Sequence, residues 1–102
     1  MTRAQRRDAY LRRTYNLTSA QYAKMLKLSP YGPGTCWITG RKPKPGKNLQ
    51  VDHSHGGADK GRVRGLLSFF ANYRLLGRGR ENPEHHEAAA RYLRSDFDGR
   101  LL

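Results

Sequence analysis

Apolar residues fall in short, separated groups along this chain, and their spacing predicts a series of small elements rather than a few long ones. Residues 2–15 have helix-compatible composition with basic side chains around most of the circumference, which predicts a solvated or phosphate-facing helix rather than a core one. The next helix is better specified. Thr18 and Gln21 have the spacing of a capping box, Leu17 before the cap can staple onto Tyr22, and Tyr22, Met25 and Leu26 make one apolar face. Pro30, Gly32, Pro33 and Gly34 then stop it. Cys36, Trp37 and Ile38 read as a short buried strand or knuckle, followed by a turn-rich basic loop over residues 40–47 that predicts a hairpin arm.

Residues 49–53 alternate as a strand, closed by Gly56 and Gly57. The pattern at 63–67 suits either helix or strand. Strand is preferred because Gly65 is a poor helix-interior residue and Arg62, Arg64 and Leu66 alternate with Val63 and Leu67. Ser68 can cap a helix running to about residue 76, ended by Gly77 and Gly79. A last helix opens at Asn82, with Pro83 in its first turn and Glu84 near its positive end, and continues through Tyr92 and Leu93. The expectation is one α+β domain: a basic helical part over 1–34, a central unit over 35–80 and a C-terminal helix over 81–102.

Charge sharpens this picture. The chain has 102 residues, room for a single small core, and a formal net charge of +12. Residues 1–48 hold eleven basic side chains and one acid, Asp8, and fourteen of the twenty bases are arginine, whose planar fork matches phosphate oxygens two at a time. Nucleic acid is therefore the first partner to consider. The single cysteine, Cys36, excludes an intramolecular disulfide and points to a reducing compartment. The longest apolar stretch, over 65–73, is broken by Ser68 and Asn72 and is too short to span a bilayer, so no membrane partner is expected. No apolar segment follows the basic N-terminus to make a secretory signal, and Arg3, Arg6, Arg7, Arg12 and Arg13 suit a helix touching phosphates at least as well as an organellar presequence.

The residues that point to chemistry are Asp52, His53, Ser54 and His55 at the end of one strand, and Asn72 in a helix further on. Hydrolysing a phosphodiester needs a base to activate water, a cation on the phosphate and the leaving oxygen, and positive groups to hold the backbone. A histidine near its neutral form suits the first role. A hard divalent metal on a few oxygen ligands suits the second, and Asp52 and Asn72 both offer oxygen. Arg62, Arg64 and Arg74 lie close by for the third, with Lys42, Lys44 and Lys47 in the basic loop. Adjacent strand residues face opposite ways, so for Asp52 and His53 to serve one phosphate the strand must end or distort there. Bland readings exist for other features: His85 and His86 are adjacent on a helix and belong to a solvated face, and Cys36 is a small core residue.

The run Asp52-His53-Ser54-His55, then Gly61-Arg62-Val63-Arg64-Gly65-Leu66-Leu67, then Asn72, resembles the phage recombination endonuclease VII family of ββα-metal, HNH-like nucleases. The Leu17-Thr18 helix start, the Pro43-Lys44-Pro45-Gly46 loop and the Asn82-Pro83-Glu84 helix extend the resemblance over roughly residues 10–94. It implies a small ββα-metal core, within residues 49–76, flanked by N-terminal and C-terminal helices. It implies that His53 is the general base, that Asp52 and Asn72 hold one catalytic Mg2+ or Mn2+ ion, and that His55 positions the scissile phosphate. Members of the family cut branched DNA such as four-way (Holliday) junctions as dimers. Duplex or branched DNA is thus the expected substrate, with a homodimer left open and the host-cell cytoplasm as the setting if the chain is phage-encoded.

At the family's zinc site this sequence departs from the pattern. The two Cys-x-x-Cys pairs would fall at Cys36 with Thr39 and at Ser68 with Ala71, so three of four thiolates are missing and structural zinc is not expected. Trp37, Ile38, Phe69 and Phe70 lie inside the two knuckles and could form an apolar cluster in its place. The competing reading is a non-catalytic basic nucleic-acid binder, which would require neither a base nor oxygen ligands.

Overall fold

Two capping boxes start the helical front of the molecule. Thr2 pairs with Gln5 to open α1 (Arg3–Tyr15), and Thr18 pairs with Gln21 to open α2 (Ser19–Leu26), each threonine accepting from the glutamine N–H while the glutamine side chain accepts from the threonine N–H. Between them Asn16 takes the left-handed conformation (φ 54°), and the N–H groups of Asn16 and Leu17 return to the carbonyls of Arg12 and Leu11, which turns the chain sharply. Asp8 fastens the corner: Oδ1 accepts from Ser19 N–H at 2.8 Å and Oδ2 from Arg12 Nε at 2.6 Å. The Ser19 N–H first, then Arg12, hold its carboxyl below the usual carboxylate range. The first helix is not solvated all round, as its composition predicts. Leu11 is buried in the core, and the Arg7 guanidinium lies over the Tyr22 ring at 5.1 Å.

The remaining elements of this computed structural model are β1 (Gln50–His53), β2 (Val63–Leu67), α3 (Phe70–Leu75), α4 (Pro83–Arg94) and a 3-10 turn at Gly99–Leu101. The structure describes residues 1–54, 60–75 and 83–102, with the backbone alone at Arg74, Leu75, Pro83 and His85. Gly56, Gly57, Gly77, Gly79 and Asn82, read from the sequence as closing or capping residues, lie outside the described residues. The sheet is an antiparallel pair in the register Gln50↔Leu67, Val51↔Leu66, Asp52↔Gly65, then His53↔Val63, so Arg64 is an extra residue bulged out of β2. The distortion expected in the strand of Asp52 and His53 lies instead on the partner strand: β1 runs without an extra residue to its end at His53, so these two side chains keep the opposite facing of adjacent strand residues. In α3 the backbone is wound in π geometry, with Ser68 Oγ accepting from Ala71 N–H at 3.2 Å.

Residues 36–38 form the knuckle rather than a strand: Trp37 N–H donates to Leu66 O, and Gly40 N–H to Cys36 O. The predicted hairpin arm over 40–47 has turns but no strand ladder. The four knuckle positions nonetheless interlock. Burial raises the Cys36 thiol, but hydrogen bonds from the Thr39 hydroxyl and from the backbone of Ser68, Thr39 and Ile38 outweigh it and hold the thiol below its ordinary value. Trp37 and Ile38 are buried, as predicted for the inside of the knuckles, and so are Cys36 and Ala71 at the knuckle positions themselves. Phe69 departs from that expectation, being 58% exposed, and Phe70 is half-buried under the Arg41 guanidinium at 5.3 Å.

The C-terminal segment closes the core in a way the sequence pattern did not indicate. Phe97 packs on Trp37 with ring centroids 5.0 Å apart, Asp98 Oδ1 accepts from Val63 N–H, and buried Gly99 lies against Met25 and Val63. Gln21 Nε2 donates to the carbonyls of Arg100 and Leu102, tying this segment back to α2. Among the described residues no helix is long and apolar enough to cross a membrane.

Candidate active site

Asp52 lies on β1 with 4% of its surface exposed, a depth at which a carboxylate requires partners. It has two. Arg64 Nη2 donates to Oδ1 at 3.0 Å, and Tyr92 OH, from α4, donates to Oδ2 at 2.7 Å. Arg64 Nε also lies 2.8 Å from Oδ2, an ion pair without the alignment of a hydrogen bond. The bulge re-aims Arg64 so that its guanidinium meets the carboxylate. Burial, then the charge of Asp52, push the Tyr92 hydroxyl far above its ordinary value, so it remains a donor throughout the working pH range.

Gly65 makes this arrangement sterically possible. It stands opposite Asp52, and a Cβ there would sit 2.7 Å from the Trp37 ring, 2.7 Å from the Tyr92 ring and 2.9 Å from the Tyr92 hydroxyl. Its φ is ordinary, so space rather than backbone freedom requires glycine. Gly65→Ala is expected to lower stability by about 1–3 kcal/mol, as overpacking of a filled core does, and to displace Tyr92 from Asp52. Urea unfolding with tyrosine absorbance as a second probe measures both effects.

The opposite face of β1 carries His53, whose half-buried ring packs on Tyr15 of α1 with centroids 5.4 Å apart. Burial first, and then the neighbouring Tyr10, push the Tyr15 hydroxyl up to about 12. Tyr15 also lines an open cleft of about 340 Å3 between α1 and β1, together with Arg7, Tyr10, Asn48, Gln50 and Asn72. Asn72 Nδ2 donates to Gln50 Oε1 at 2.8 Å. By strand alternation Gln50 shares a face with Asp52, so Asn72 and Asp52 approach β1 from the same side, each held by a different partner.

Other site residues expected from the sequence divide by location. Lys42, Lys44 and Lys47 are exposed and line a second groove with Arg41, beside Phe69 and Phe70. Arg64, read as a phosphate contact, is instead the partner of buried Asp52, with a side chain 19% exposed. Arg62 follows the loop and its carbonyl accepts from Ser54 N–H at 2.8 Å, extending the ladder past β1. His55 and the Arg74 side chain lie outside the described residues. Sequence reasoning missed Tyr92, Gln50 and the Arg7–Tyr10–Tyr15 wall. An isolated glycine inside a strand, Gly65, was the available signal for the close approach of Tyr92.

For a hard divalent cation the donor chemistry fits. Asp52 Oδ1 accepts one hydrogen bond and an ionised carboxylate oxygen has two lone pairs, while Asn72 Oδ1 accepts none among the described residues. Also among the described residues, no three His, Cys, Asp or Glu side chains converge, so a metal here would rest on few protein ligands and keep several waters.

Comparison with known proteins places this site in context. The family model described as recombination endonuclease VII matches residues 8–95, a span that includes Asp52, His53, Asn72 and Tyr92. The chain is similar to the Gene 59 protein of Mycobacterium phage D29, with 36% identity over 81 residues, 79% of this chain and 46% of that protein. It thus spans about half the length of that relative. No solved structure matches.

Proposed function

The chain belongs to the recombination endonuclease VII family, and from that premise we propose that it is a divalent-metal-dependent endonuclease that hydrolyses phosphodiester bonds in DNA. The observation that supports this reading is that Asp52 and Gln50, the partner of Asn72, occupy alternate positions of β1, with His53 packed on Tyr15 of a cleft wall that includes Arg7.

In the proposed reaction the His53 imidazole takes a proton from water, the water oxygen bonds to phosphorus, and the bond from phosphorus to one sugar oxygen breaks. Asp52 and Asn72 would hold a magnesium or manganese ion, which when bound supplies positive charge to the phosphate and the leaving oxygen. Arg64 and Tyr92 fix the Asp52 carboxylate, and Gln50 fixes the Asn72 amide. Arg41, Lys42, Lys44 and Lys47 hold the DNA backbone by charge.

A magnesium series on supercoiled plasmid tests the reading. Nicked circles are expected with magnesium or manganese and none with chelator, and Asn72→Ala should require at least about tenfold more metal for the same rate. Nicking that ignores both chelator and the Asn72 substitution would overturn the assignment of this pair. Branched DNA as the favoured form is part of the same proposal, tested by offering a four-way junction beside a duplex of equal length.

A further inference from the structure

Phe69, just before α3, and Tyr73 within it stand four residues apart with their rings nearly parallel, 11° between planes and centroids 5.2 Å apart. Both are turned outward, 58% and 49% exposed. Scattered surface aromatics are common, but a stacked pair beside a cationic groove is a different arrangement. The groove has a volume of about 530 Å3 and is lined by Arg41, Lys42, Lys44 and Lys47 together with Phe69 and Phe70. No acidic residue occurs between Cys36 and Leu49, so the loop that forms this wall carries only positive charge. The groove also shares Asn48 and Gln50 with the cleft that contains Asn72, so a strand lying along it runs into the candidate active site.

From these features we propose that Phe69 and Tyr73 form a stacking shelf for an unpaired base of a DNA strand whose phosphates lie along Arg41, Lys42, Lys44 and Lys47. A base within a duplex already has both faces covered by its neighbours, so the shelf can take only a base outside the stack. Every base has an aromatic face, so such a shelf selects single-stranded character rather than sequence. The proposal rests on the reading of the chain as a DNA-acting nuclease and adds the local DNA structure that it grips.

The test measures binding in the presence of chelator, without cleavage. The probes are a duplex with a short central gap carrying one unpaired 2-aminopurine and the continuous duplex of the same sequence. Wild type is expected to bind the gapped probe more tightly and to change the fluorescence of the unpaired base. Phe69→Ala and Tyr73→Ala should each weaken gapped-probe binding by about tenfold and continuous-duplex binding by less than about twofold. Phe69→Trp, which keeps an aromatic face, should retain the preference. Equal loss on both probes, or a wild type that binds both alike, would overturn the shelf while leaving the nuclease reading intact. A wild type that binds neither probe would overturn both.

Discussion

With His53 replaced by alanine, nicking of supercoiled DNA is expected to fall at least about a hundredfold, the low end of what a positioned general base supplies, while DNA affinity changes less than about twofold. The separation follows from where the side chain sits. His53 is half-buried against Tyr15 at the end of β1, whereas the exposed Lys42, Lys44 and Lys47 line another groove. Loss of the aromatic contact with Tyr15 costs on the order of 1 kcal/mol, and circular dichroism checks that the variant is folded. Burial and Tyr10 push the Tyr15 hydroxyl up to about 12, so the ring under His53 keeps its proton where an imidazole titrates. Tyr15 should therefore contribute no limb to the pH dependence of nicking below about pH 9, which a pH series on wild type and Tyr15→Phe checks.

Asp52→Ala is expected to remove activity and also to lower stability by about 3–5 kcal/mol, because it leaves the Arg64 charge buried without its counterion and Tyr92 without its acceptor. Much of that loss belongs to the orphaned guanidinium rather than to the pair itself. The double variant Asp52→Ala/Arg64→Met should thus recover a large part of the stability and none of the nicking. Denaturant midpoints for the two single variants and the double variant, set beside their nicking rates, separate the structural from the chemical role of the carboxylate. A double variant as unstable as Asp52→Ala would show that the buried pair does not behave as described.

What the sequence made legible was local. The Thr18–Gln21 box and the strand at Val63–Leu67 are each specified by residues within a few positions, and each is present, while Leu17 and Tyr22, read as a staple, are both buried in the core. Of the candidate site, the sequence singled out residues that share one short stretch, Asp52 and His53, or a family spacing, Asn72. Partners distant in sequence were not. Tyr92 reaches Asp52 across forty residues and looks in isolation like another apolar position of an amphipathic helix. The bulge that brings Arg64 to Asp52 is marked in the sequence only by the isolated Gly65 beside it, which does not say where the arginine points, so a charged residue beside the site was read as a phosphate contact. Phe69 was assigned to the core by its place between knuckle positions, but it lies at the surface beside the basic groove, just before α3 begins.

The central claim, hydrolysis of DNA by His53 with metal held at Asp52 and Asn72, is tested most directly by running plasmid conversion and gel shift side by side. Wild type and His53→Ala are compared with magnesium, manganese or chelator, at folding matched by circular dichroism. The account predicts that both proteins shift the DNA, that wild type converts it to nicked circles with either metal, and that chelator or the substitution stops conversion. A folded wild type that binds the plasmid and leaves it intact with both metals, from about pH 6 to pH 9, would contradict the account and make the chain a non-catalytic DNA binder.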